Sequence, residues 1–140
     1  MKINLIIAVV ALIWVGMILA IGMESVVKFN TPTLTKPIGF DVGRTVFAAF
    51  NKAQLGLLII IIISLLFSYL TFVDKSLIAF ITLILVLQIF WLFPALSQRV
   101  DLILSGIKPA PTYMHGFYGA LEIAKLILLF ILGLRLAITS

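Results

Sequence analysis

The sequence predicts an all-α integral membrane protein, an antiparallel bundle of four transmembrane helices, and three observations carry that expectation. First, hydrophobic residues make up 64% of the 140-residue chain and charged residues 11%, with a mean hydropathy of +1.32. A soluble domain carries about 25% charged and about 45–50% apolar residues, so most of this chain must face lipid. Second, the apolar residues gather into four long runs, at about residues 3–24, 42–72, 76–96 and 112–136. Roughly 20 apolar helical residues cross a hydrocarbon core about 30 Å thick, so each run is long enough. Third, the segments between the runs are short and punctuated by proline, glycine and charge. A single membrane domain over residues 1–140 is expected.

The first run follows Lys2 and extends over residues 3–23. Its basic start suits a signal peptide, but it exceeds the apolar core of about 7–15 residues and lacks an A-x-A end. It reads as the first span. Glu24 and Lys28 follow at the i,i+4 spacing of a helical pair. Residues 30–39 contain Pro32, Pro37 and Gly39 and read as a loop. Asp41 is then the expected N-cap of a long second helix. Its opening turns mix Arg44, Asn51, Lys52 and Gln54 with aromatic residues before the apolar stretch 55–66. Val73-Asp74-Lys75-Ser76 reads as a tight turn that makes the second and third spans antiparallel neighbours.

The third span has a lone interior amide, Gln88, an interfacial anchor in Trp91 and an expected kink at Pro94. Residues 100–107 suggest a short surface helix within the next loop, and the fourth span opens at Pro111 or Thr112. The two longer loops carry Lys28, Lys36, Arg44, Lys52, Arg99 and Lys108, against Lys2, Lys75 and Arg135 on the other side. The positive-inside rule therefore puts both of those loops in the cytoplasm and both termini outside. The same placement explains the net charge of +5 without nucleic acid.

The candidate site lies at one end of the bundle. Within the fourth span, His115, Tyr118, Glu122 and Lys125 share a face at helical spacings. Ionisable groups at bilayer depth cost about 2.5–3.5 kcal/mol each on insertion scales, so they need a partner or a purpose. Topology puts Glu24, Lys28, Arg44, Asn51, Lys52, Gln54, Gln88, Arg99 and Asp101 on the same side as these four. A one-sided polar vestibule narrowing toward Glu122 and Lys125 is expected, with Glu24, Lys28, Asn51, Lys52, Gln88, Arg99, His115, Tyr118, Glu122 and Lys125 as its binding residues. The simplest use of Glu122 and Lys125 is mutual neutralisation, or pairing of Glu122 with Lys52 or Arg99. A substrate, proton or ion role is the rival.

The chain has no cysteine and one histidine, so it offers no disulfide, no thiolate nucleophile and no multi-histidine metal site within itself. Phosphate-binding glycine loops, H-E-x-x-H and G-x-S-x-G are absent from the sequence. Catalysis, a metal and a cofactor are therefore not expected.

Several short motifs carry a resemblance. Asn30-Thr31-Pro32-Thr33-Leu34 follows the first span, and Val42-Gly43-Arg44-Thr45-Val46-Phe47-Ala48-Ala49-Phe50 leads into the second. Trp91-Leu92-Phe93-Pro94 closes the third, with Arg99 nearby, and His115-Gly116 opens the fourth. In these features the chain resembles a small four-span family of unknown function that includes the animal cisplatin-resistance-associated transmembrane protein. The resemblance implies the four-span architecture and leaves the activity open. The expected function is a non-catalytic binding or accessory subunit in the lipid bilayer, assembled with itself or within a larger membrane complex. The alternatives are an oligomeric ion- or proton-linked transporter or channel, and a haem- or quinone-associated electron-transfer subunit using His115.

Overall fold

The computed structural model describes residues 2–139, and all regular structure among them is helical. Helix α1 (Lys2–Val27) ends in a 3₁₀ turn (Lys28–Asn30), and α2 (Lys36–Leu65) follows a short loop. Helix α3 (Phe72–Leu87) passes through a π-helical turn (Gln88–Leu92) into α4 (Phe93–Leu104), and α5 (Met114–Thr139) completes the chain. Three helical rods, Lys2–Asn30, Lys36–Leu65 and Phe72–Leu104, are long and apolar enough to cross a membrane. Helix α5 has 26 residues but carries Glu122, Lys125 and Arg135, and it is not among those three.

Several expected boundaries move, each for a local reason. Helix α2 begins at Lys36, because Pro37 sits in the first turn, where its missing N–H costs nothing. Thr35 is therefore the cap position, and Asp41 lies inside the helix, where it pairs with Arg44 at 2.6 Å. Asp74 is likewise in a first turn rather than a loop. Thr71 Oγ1 accepts from the Asp74 N–H at 3.2 Å, and the Asp74 carboxylate accepts from the Thr71 N–H at 3.3 Å, a complete capping box. The connection between α2 and α3 is thus residues 66–71. Pro94 does not end the third rod. The wider π turn lies immediately before it, and α4 then absorbs most of the expected surface helix. The rod stops at Gly106, whose φ of +80° allows Ile107 and Gly106 to donate to Leu102 and Ile103 at 2.9 and 3.1 Å. That is a Schellman stop.

Helix α1 packs most extensively against α5 and has α2 on its other flank; α3 lies beside α5, and α4 returns to α2 to close the ring. Helix α2 thus meets the third rod mainly along α4. Gly133 sets the α1–α5 separation, since a Cβ there would lie 2.7 Å from Leu12 Cδ2. Ile7, Ala11, Trp14, Ile61, Ile81, Leu85, Leu129 and Leu132 fill the centre. The outward faces are as apolar as the inner ones: Ile59, Phe80, Leu83, Ile123 and Ile127 are all largely exposed.

Candidate functional site

The polar side chains in the bundle centre converge on Lys125, which is 0% exposed. Its ammonium donates to Gln54 Oε1, to Gln88 Oε1 at 2.8 Å and to Glu122 Oε2 at 3.2 Å. Three donors meet three acceptors, drawn from α2, the π turn and α5. The acceptors are themselves held in place. Trp14 Nε1 of α1 donates to Gln54 Oε1 at 2.9 Å, filling that oxygen's second lone pair. Gln54 Nε2 donates to Asn51 Oδ1 at 3.2 Å, and Gln88 Nε2 donates to Glu122 Oε2 at 2.7 Å. One node therefore ties together all four long rods. The Trp14 and Phe50 rings lie 6.0 and 5.9 Å from the ammonium and complete its cation-attracting walls.

The π turn explains how Gln88 reaches this place. A π-helical turn adds a residue to the ring of each hydrogen bond and shifts the register of the helix beyond it. Gln88 opens the turn with its amide on α5, while Leu92 stays buried at its end. On the loop side of the node, Tyr118 stacks edge-on against Phe47 at 5.7 Å, and Phe47 against Phe50 at 5.9 Å. Three buried polar atoms there, Asn51 Nδ2, Tyr118 Oη and Glu122 Oε1, have no hydrogen-bond partner among the described residues.

Of the ten sequence-predicted site residues, the node joins Asn51, Gln88, Tyr118, Glu122 and Lys125. The remaining five lie apart from it. Glu24 and Lys28 form their own pair at 3.5 Å, with the Lys28 ammonium packed over Gly43 and 5.5 Å from the Phe29 ring centre. Arg99 donates to the Ala110 carbonyl at 2.6 Å and pins the α4–α5 loop. His115 and Lys52 are exposed. Arg44 and Asp101 bond to each other, and Arg44 also donates to the Ser97 carbonyl at 3.2 Å, joining α2 to α4. The narrow end expected of a vestibule is filled by the side chains themselves. A groove of about 380 Å³ between α1 and α2, sharing Phe50 with the node, is apolar and lined by Met17, Ala20, Ile21, Val46, Ala49, Phe50 and Ala53.

Two features escape a reading of the sequence. Trp14 reads as one more apolar residue in a featureless span, and nothing local marks its N–H as a ligand for Gln54. At the opposite end of the bundle, Arg135 donates from Nε to Asp74 at 2.8 Å and from Nη2 to Thr71 at 3.3 Å. The Thr71-x-x-Asp74 spacing of a capping box was the available signal for that cluster. Among the described residues, no three histidine, aspartate or glutamate side chains converge as metal ligands.

No protein-family model matches the chain, and comparison with curated proteins and with solved structures likewise finds no match.

Proposed function

We propose that this chain is a non-catalytic integral membrane protein, a four-helix bundle that serves as a small binding or accessory subunit. The observation that carries the reading is the level of the Lys125 node. Trp14, Gln54, Gln88 and Lys125 mark one plane across the four rods. Ten residues either side of a plane cover about 15 Å each way, half of a core about 30 Å thick in each direction. Counted from these four residues, the windows are 4–24, 44–64, 78–98 and 115–135. They end at Glu24, Arg44, Gln98 and His115 on the loop side, and at Asn4, Ser64, Ile78 and Arg135 on the other. Seven of these eight ends are polar residues, and the eighth, Ile78, lies about one turn inside Asp74. This supports α5 as the fourth span, its two central charges neutralising each other inside the bundle and its exposed Ile123, Ile127 and Phe130 facing lipid.

On this reading Lys125 and Glu122 fix helix register and do no chemistry, because each ammonium proton already has its acceptor. The end of the bundle bearing Lys28, Lys36 and Lys108 faces the cytoplasm, and the resemblance to the four-span family belongs to the same proposal. The test is native mass spectrometry of the protein released from membranes in mild detergent. Stable self-assembly or a stoichiometric membrane partner is expected; a strictly monomeric, partner-free protein would overturn the accessory role.

One observation favours a second reading, proton- or ion-linked transport by an oligomer. The partnerless Asn51 Nδ2, Tyr118 Oη and Glu122 Oε1 all lie on the loop side of a buried ion pair. Flux into liposomes decides it: transport that Glu122→Gln and Lys125→Met both abolish would replace the accessory reading, and no flux in the wild type ends the alternative.

A further inference from the structure

One charge in the bundle is not explained by the node or by the membrane edges. Within the four windows the charged residues are Glu24, Arg44, Lys52, Glu122, Lys125 and Arg135. Glu24, Arg44 and Arg135 stand at the edges with partners, and Glu122 and Lys125 neutralise each other. Lys52 alone is exposed and makes no hydrogen bond or ion pair among the described residues. It precedes Gln54 by two residues, so its Cα lies about 3 Å from the node plane. At about 100° per residue it also lies about 160° round α2 from Gln54, on the face turned away from the bundle.

We propose that this outward face of α2 docks a transmembrane helix of another protein that carries an aspartate or glutamate at mid-bilayer depth, paired with Lys52. The proposal deepens the accessory-subunit reading and rests on its four-span placement. An extended lysine side chain reaches roughly 6 Å, which leaves its ammonium several ångströms short of a headgroup region about 15 Å from the plane. A lipid phosphate is therefore a poor partner for it, and an ammonium in hydrocarbon requires one. The surrounding surface suits a closely approaching helix: Thr45 and Gly56 lie on the same face as Lys52, and a Cβ added to Gly56 would meet nothing within 4 Å. A second copy is disfavoured, because a two-fold contact through this face would oppose Lys52 to Lys52.

The test uses the full chain in phosphatidylcholine vesicles with a fluorescent leucine–alanine transmembrane peptide bearing one central aspartate, and otherwise identical peptides with asparagine or leucine. Energy transfer should show the aspartate peptide binding roughly tenfold more tightly than the leucine peptide. Lys52→Met should remove that preference, and Gly56→Leu should weaken binding with the lysine intact. Equal binding of the aspartate and leucine peptides overturns the proposal, as does a preference that survives Lys52→Met. Self-association of the chain that Gly56→Leu abolishes would give the face to a second copy and also overturn it. Because the chain lacks cysteine, Lys52→Cys tests the four-span placement separately. Protection from a membrane-impermeant maleimide supports the depth of residue 52, so a wild-type chain that shows no aspartate preference while residue 52 is protected overturns the docking alone. Rapid labelling overturns the placement and the docking with it.

Discussion

Removing either charge from the node should destabilise the bundle strongly, and removing both should cost much less. Lys125→Met deletes three donors at once and leaves the Glu122 carboxylate with only the Gln88 amide, 2.7 Å away. Glu122→Gln leaves a cation with 0% exposure facing only neutral oxygens. Breaking a buried pair from one side costs about 3–5 kcal/mol, because the surviving charge stays desolvated without its counter-charge. Glu122 keeps 17% of its side chain exposed, so the Lys125→Met loss should fall near the lower end of that range. With Glu122→Gln and Lys125→Met combined, no buried charge remains and the amide contacts persist, so the loss should fall below about 1.5 kcal/mol. Reversible unfolding in mixed dodecylmaltoside–SDS micelles measures all three. Trp14 fluorescence serves as the probe in a Trp91→Phe background, since Trp14 donates directly into the node. Single losses under about 1 kcal/mol, or a double mutant that loses the sum of the singles, would refute the argument that the pair locks the bundle.

Gly133→Ala should cost about 1–3 kcal/mol in the same assay through overpacking against Leu12, and Leu12→Ala should recover part of it. Thr71→Val removes a capping oxygen and one acceptor of Arg135, and a loss of about 1 kcal/mol with faster amide exchange in the first turn of α3 is expected. Gly106→Ala forces a side chain into the left-handed region at the end of α4 and should cost about 1 kcal/mol, seen as fraying of residues 102–106 in hydrogen exchange. Single cysteines at Thr33 and Ser105 should be labelled from the cytoplasmic side and one at Lys75 from the opposite side; labelling of all three from one side would refute the four-span orientation.

The extent to which the sequence exposes this structure follows the range of the interactions. Three of the rods are legible because hydropathy summed over about 20 residues outweighs local exceptions, whereas α5 is not among the helices long and apolar enough to cross a membrane. Asp41 is misplaced as a cap because its chemistry suits either an N-cap or an i,i+3 pair with Arg44, and only the chain ahead of it decides. There Pro37 tolerates a helix start six residues earlier than a proline-rich loop suggests. The pairing of Glu122 with Lys125 is legible from its i,i+3 spacing. The contributions of Trp14, Gln54 and Gln88 depend on the packing of four rods and on a π turn that no local pattern announces. The same limitation makes a sequence reading gather Lys52 into the vestibule. Polar residues on one helix end look like neighbours until the core face is known, and Gln54 and Lys52, two positions apart, point to opposite sides.

That opposition separates the two kinds of polarity in α2. Asn51 and Gln54 turn inward, where a neutral amide can accept from a buried ammonium without adding a second uncompensated charge. Lys52 is exposed and has no acceptor among the described residues. If polarity in this helix served only to fix the fold, the inward pair would suffice and Lys52→Leu should stabilise the isolated bundle, since at the proposed depth it replaces an exposed charge with a lipid-compatible side chain. The expected result is a gain of about 1–3 kcal/mol for Lys52→Leu in phosphatidylcholine bicelles without partner, together with loss of the aspartate-peptide preference. A neutral or destabilising Lys52→Leu would mean that the lysine already finds its counter-charge or water within the isolated chain, and the outward face of α2 would lose its reason to bind.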